Sequence, residues 1–119
     1  MARILLAEDD DQLRSFLARG LQRAGHEVES VGDGLAALAL ARKTNFDLLL
    51  ADVVMPGLDG IELARMVSNR QPGIRVMFIT GFAAVTLHED GILPSRPRVL
   101  AKPFHLRHLI SEVEAVLLE

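Results

Sequence analysis

Cysteine, tryptophan and tyrosine are all missing from this chain, and aromatic residues make up only 4% of it, all of them phenylalanine. Without cysteine there are no disulfides, no thiol nucleophile and no Cys-based zinc site. Long apolar runs are missing as well. A membrane-spanning helix needs about 20 consecutive apolar residues. Here Met1-Ala2-Arg3 leads only into Ile4-Leu5-Leu6-Ala7 before Glu8, which is also too short for a signal peptide. A cytoplasmic protein with no membrane association is expected. Basic charge is in deficit: 13 Lys and Arg stand against 16 Asp and Glu, a formal net charge of -3, so the chain has no electrostatic footprint for nucleic acid. Internal repeats, low-complexity stretches and Pro/Gly-rich linkers are absent too.

What remains is a chain of 119 residues, 50% hydrophobic. That length suits one domain, residues 1–119, and buries roughly two-thirds of the unfolded surface. The apolar runs are short and separated by helical patterns. The spacing predicts strands over residues 3–7, 27–31, 47–51, 75–79 and 98–101, and helices over 11–24, 35–43, 59–69 and 106–118. Residues 83–90 have helical composition, but Gly91, Pro94 and Pro97 limit a fourth helix to something short or irregular. Strand 27–31 alternates charged and apolar residues, as an edge strand does. Asp10 or Asp11 is expected to cap the first helix, and Asp59 with Glu62 resembles a capping box at the third. Alternating strand and helix implies an α/β fold, a doubly wound parallel sheet with right-handed crossovers.

Ligands of such sheets bind at the carboxyl ends of the strands, and four of these runs end on reactive groups. Ile4-Leu5-Leu6-Ala7 ends on Glu8-Asp9, Leu48-Leu49-Leu50-Ala51 on Asp52, Val76-Met77-Phe78-Ile79 on Thr80, and Val99-Leu100-Ala101 on Lys102. Two or three crowded carboxylates repel one another, and a bound cation is the usual relief. An oxygen-only donor set points to a hard ion such as Mg²⁺, which commonly bridges to phosphate. Each residue also has a plainer reading. Asp10 and Asp11 read best as an acidic helix start, Lys102 as a neutralising partner, and Thr80 as an ordinary strand residue. Competing motifs are poor. There is no G-x-x-x-x-G-K-[ST], Gly32-x-Gly34 lacks a third glycine, and no serine sits in a nucleophile elbow. His105 and His108, or His88 with Glu89 and Asp90, read as exposed polar residues rather than metal ligands.

Glu8-Asp9, Asp52 with Val54-Met55-Pro56-Gly57 and Asp59-Gly60, Ile79-Thr80-Gly81 and Lys102-Pro103 together resemble the receiver domain of two-component response regulators, along the whole chain. Within that family, Ile4 to Asp10, Gly60 to Arg65, Met77 to Val85 and Leu106-Arg107 are most similar to the CpdR-type single-domain regulators, a likeness that carries the expectation of no output domain after residue 119. The resemblance implies a five-stranded (βα)5 sheet in the flavodoxin-like order 2-1-3-4-5. It implies that Asp52 is the phosphoacceptor, charged by a histidine kinase or histidine phosphotransferase. Asp9, Asp52 and the Val54 carbonyl would hold Mg²⁺, with Glu8 acting through water. Lys102 would pair with a phosphoryl oxygen, and Thr80 would move toward it. Such a protein is no enzyme beyond its own phosphorylation and dephosphorylation, and a monomer or weak dimer is expected.

The chain departs from the receiver pattern at Val99, where many receivers carry Tyr or Phe three residues before the lysine; Phe82 and Phe104 are the candidate substitutes. In receivers, the positions two beyond the phosphoacceptor and two beyond the threonine help to hold an attacking water. Here they are Val54 and Phe82, which implies a long-lived phosphoryl group. The CpdR-type likeness implies an adaptor for regulated proteolysis: the unphosphorylated form would bind the ClpXP protease, and phosphorylation would end that contact. Two other readings remain open at this point. One is a phosphate shuttle or sink without output of its own, and the other is a small Mg²⁺-dependent phosphotransferase.

Overall fold

The structure, a computed structural model, describes residues 1–81 and 97–119. The predicted irregular helix over 83–90, Phe82 and the His88-Glu89-Asp90 group lie outside the described residues. Element order is β1 (Arg3–Ala7), α1 (Asp11–Arg23), β2 (Glu27–Val31), α2 (Gly34–Lys43), β3 (Leu48–Asp52), α3 (Gly60–Arg70), β4 (Arg75–Thr80), β5 (Arg98–Ala101) and α4 (Leu106–Leu118). The five strands form one sheet in the order β2-β1-β3-β4-β5, parallel throughout. Both the doubly wound class and the order 2-1-3-4-5 are as expected, and β2 is an edge strand, which accounts for its charged, half-exposed sequence.

Side chains alternate across a strand, and this alternation divides the interior in two. Leu5, Ala7, Leu49, Ala51 and Phe78 face α2 and α3, where they meet Leu38, Ala41, Leu63 and Val67. Ile4, Leu6, Leu48, Leu50, Met77 and Ile79 face α1 and α4, where they meet Leu17, Leu21, Leu109 and Val113. Burying one such side chain stabilises the fold by about 1.5–3 kcal/mol, and β3, buried at every residue, supplies both layers in turn. Phe104 packs into the second layer. Val99 leaves β5 on the face opposite Leu100, which belongs to that layer. Phe104 therefore does not occupy the face of the missing aromatic.

The helix starts refine the expectations. Asp10 rather than Asp11 caps α1, accepting from the Leu13 N–H at 3.0 Å, while Asp11 pairs with Arg14 at 2.7 Å. Asp59 caps α3 by accepting from the Glu62 N–H at 2.8 Å. The reciprocal half of a capping box is not formed, because Glu62 is engaged by the Arg65 guanidinium through charge-assisted hydrogen bonds. Strands β3 and β4 each run one residue further than predicted, so Asp52 and Thr80 belong to the ladder itself rather than to the loops beyond it.

Gly60 opens α3 directly against the end of β3. Its N–H donates to the Val53 carbonyl at 2.9 Å, and a Cβ at this position would lie 2.1 Å from the Asp52 carbonyl oxygen. Backbone on both sides leaves nothing to give way. Gly60→Ala is expected to lower stability by about 1–3 kcal/mol, the range for overpacking. Gly73→Ala, which adds a Cβ with nothing within 4 Å, serves as the control and should leave the urea midpoint nearly unchanged.

Candidate functional site

Strand ends bring the acidic residues together. Glu8 follows β1, and its N–H continues the ladder to the Val31 carbonyl at 3.1 Å. Asp52 ends β3, which lies beside β1 in register Ala7 to Ala51. Carboxylate oxygens of Glu8, Asp9 and Asp52 all lie within 4.8 Å of one another, with Glu8 and Asp52 buried and Asp9 exposed. Both oxygens of Asp52 are engaged: the Val54 N–H donates to Oδ1 at 3.0 Å, and the Lys102 ammonium donates to Oδ2 at 2.8 Å. Lys102 also reaches Glu8 Oε1 at 3.2 Å, while the Asp10 N–H donates to Glu8 Oε2 at 2.9 Å.

Thr80 is buried at the end of β4 in register with Ala101. The Lys102 N–H donates to the Thr80 carbonyl at 2.7 Å, so the threonine and the lysine are placed by one hydrogen bond across the β4–β5 edge. Val54, 52% exposed, lies in the loop over the pocket. All six residues singled out in the sequence thus fall at the carboxyl edge of β1, β3, β4 and β5. Among the described residues, neither His105, at the N-cap of α4, nor His108, which faces Glu112 at 3.8 Å on that helix, belongs to this metal-ligating group.

The electrostatics follow from crowding. Glu8 has no solvent exposure, and burial pushes its pKa up to about 7, helped by the neighbouring Asp52 and resisted by the Asp10 N–H and Lys102. Burial disfavours the Lys102 ammonium, but its hydrogen bond to Asp52 and the attraction of Glu8 and Asp52 outweigh that and hold its pKa above the ordinary lysine value. The donor set is oxygen only, three carboxylates with room at an exposed rim, and this fits a hard divalent cation such as Mg²⁺ better than any softer metal.

Two residues of this site have weak sequence signals. Gly60, through its approach to the Asp52 carbonyl, is marked only by the Asp-Gly pair at a helix start. Arg14, whose Nη1 donates to the Glu8 carbonyl at 2.9 Å, is marked only as a cation following a run of acids.

Comparisons with known proteins agree with the geometry. The family profile described as the response regulator receiver domain matches residues 4–114. The chain is 49% identical over 118 residues to the response regulator receiver protein CpdR of Brucella abortus (strain 2308), covering 99% of this chain and 98% of that protein. Among solved structures it is similar to the chemotaxis protein CheY4 of Vibrio cholerae, with a TM-score of 0.88, 30% identity and 98% of each chain covered. It is also similar to the response regulator TrrA of Thermotoga maritima, solved in complex with Mg(2+)-BeF, with a TM-score of 0.84 and 26% identity over 98% of this chain and 99% of that one.

The raised pKa of Glu8 sets a pH dependence. A carboxyl that titrates near 7 when folded and near 4.5 when unfolded binds more proton in the folded state between those values. Its contribution to stability is therefore present below about 4.5 and is lost as pH rises through about 7. In chelator-treated protein, the melting temperature of Glu8→Gln relative to wild type should climb over that window and level off above it. A pH-independent difference between the two melting curves would contradict the assignment.

Proposed function

Because the chain belongs to the response regulator receiver domain family, we propose that it is a phosphorylation switch with Asp52 as phosphoacceptor, acting through protein–protein contact. The observation that carries this reading is the state of the Asp52 carboxylate. It is buried at a central strand end, with a lysine ammonium on one oxygen, a backbone N–H on the other, and two further acids within reach. A carboxylate so held is oriented for attack on phosphorus, with the Lys102 ammonium beside it.

The chemistry balances as a phosphoryl transfer. An Asp52 oxygen forms a bond to the phosphorus of a phosphohistidine, the N–P bond breaks, and the donor imidazole leaves with the electron pair and takes up a proton. Asp9, Asp52 and the Val54 carbonyl would hold Mg²⁺, with Glu8 acting through water, and the ion would supply positive charge for the phosphoryl oxygens. Lys102 supplies a second positive charge at the same place, and transfer requires it to exchange an Asp52 oxygen for a phosphoryl oxygen. Thr80 gives a hydroxyl at the next strand end, and its approach to the phosphoryl group shifts the balance between two conformations. The donor is a histidine kinase or histidine phosphotransferase, the partner class of the family.

The target follows from the likeness to CpdR, which extends over almost all of both chains. In this reading the unphosphorylated protein binds the ClpXP protease as an adaptor, and phosphorylation releases it. Asp52→Asn should take up no acid-labile phosphate from a phosphorylated histidine phosphotransferase while keeping its circular dichroism spectrum. In pull-downs the ClpX subunit should be retained by the unphosphorylated wild type and by Asp52→Asn, and lost after phosphorylation of the wild type. Phosphate on the variant would remove Asp52 from its role. Equal retention in both states would leave the protein a phosphate shuttle.

Signal lifetime is the second consequence. Hydrolysis of an acyl phosphate needs a water fixed by a polar group within about 2.6–3.2 Å, and the Val54 side chain, exposed over the pocket, has no such group. The phosphoprotein should therefore decay slowly unless a partner withdraws the phosphate. Val54→Asn should accelerate the loss of label severalfold in the purified protein, measured by acid-quenched time course.

A further inference from the structure

We propose that Arg14 is a positioning residue for the cation pocket, setting its affinity by fixing the turn that carries Glu8 and Asp9. The inference rests on the reading of Glu8, Asp9 and Asp52 as an Mg²⁺ site. Glu8 sits where β1 stops and the chain turns toward α1. Its N–H still belongs to the ladder, donating to the Val31 carbonyl, but among the described residues no backbone N–H donates to its carbonyl. A buried carbonyl left unpaired is costly, and Arg14 meets that need from the second turn of α1. Nη1 donates to the Glu8 carbonyl at 2.9 Å, and Nη2 pairs with Asp11 at 2.7 Å. The planar guanidinium makes both bonds from separate nitrogens held in a fixed fork, a spacing that the single nitrogen of an ammonium lacks.

The same guanidinium lies beside the β2–α2 loop, where a Cβ placed on Gly32 would come 3.0 Å from Arg14 Nη1. Arg14 therefore ties the end of β1 to the first turn of α1, in a space that the missing Gly32 side chain leaves open. Glu8 is held at four points, its N–H, its carbonyl and both carboxylate oxygens, and Arg14 supplies the bond to the carbonyl. Asp9 is the next residue along and inherits its backbone position from that turn.

The sign of the effect separates positioning from charge. Arg14 is a cation beside a cation site, so by Coulomb's law alone its removal would tighten Mg²⁺ binding. If it holds the turn in place, its removal weakens binding, as loss of a group supporting metal ligands does, roughly tenfold. The test is an Mg²⁺ titration of chelator-treated protein, followed through the rise in melting temperature by circular dichroism, since the chain has no Trp or Tyr for fluorescence. Arg14→Ala should need roughly tenfold more Mg²⁺ for the same rise. Arg14→Lys, which keeps the charge and loses the fork, should fall between the two. Gly32→Ala displaces the guanidinium while leaving its charge in the protein, and should show a smaller loss in the same direction even if Arg14→Ala folds poorly. Affinity that is unchanged or tighter in Arg14→Ala, or in Gly32→Ala where Arg14→Ala does not fold, overturns the proposal. A wild type with no Mg²⁺-dependent rise overturns the Mg²⁺ reading and, with it, the proposal.

Discussion

A single ammonium group holds the working edge of this protein together. Lys102 starts from the end of β5, two strands away from β3, and neighbouring strands lie about 4.8 Å apart. To reach Asp52 at 2.8 Å and Glu8 at 3.2 Å its side chain must cross over the end of β4. The route is fixed by the backbone bond from the Lys102 N–H to the Thr80 carbonyl. Without that cation two buried carboxylates would face each other across the β1–β3 boundary, and removing one partner from such a group is strongly destabilising. The orientation of Asp52 depends on this contact, and the same ammonium tempers the upward shift that burial gives the Glu8 pKa. In the proposed transfer the same ammonium would partner an incoming phosphoryl oxygen, so the group that stabilises the resting protein is the one that reaction would borrow.

Much of this is legible in the chain. The runs Ile4 to Ala7, Leu48 to Ala51 and Val76 to Ile79 are too short and too apolar for anything but buried strands. Their terminal acids and the lysine after Ala101 announce a charged edge because an acid at the end of such a run has no other employment. Neither periodicity nor spacing yields the strand order, because pairing is a long-range choice; the family likeness supplies it. Contacts between distant residues stay hidden for the same reason. Gln71, after α3, donates to the Ala41 and Thr44 carbonyls and accepts from the Phe46 N–H. His26 accepts from the Ala2 N–H at its Nδ1, which leaves Nε2 as the nitrogen that donates to Glu114 at 2.7 Å. No pattern in the sequence points to either. The helix starts fail more narrowly: Asp10 and Asp11 are equally good caps on paper, and Glu62 is drawn away from the capping box by Arg65 one turn along.

The two ends of the sheet do different jobs. At the amino end Gln71 ties the end of α3 to backbone groups of Ala41, Thr44 and Phe46, and His26 links the Ala2 N–H to Glu114 of α4, which suits an anchored base. At the carboxyl end the ties run between charged side chains and loops, and these can be exchanged without unravelling secondary structure. A cation or a phosphoryl group entering there replaces one set of ionic partners by another. That difference explains how a small protein can be firmly folded and still carry a reversible chemical mark.

The position of Asp52 on β3 has one more consequence. Ala51 and Val53, the residues on either side of it, both belong to the layer under α2 and α3, while Leu50, two residues back on the same face of the strand as Asp52, belongs to the layer under α1 and α4. The carboxylate thus stands on one face of the sheet while its two chain neighbours are seated in the other. A shift of the backbone at this one position would move side chains of both layers at once.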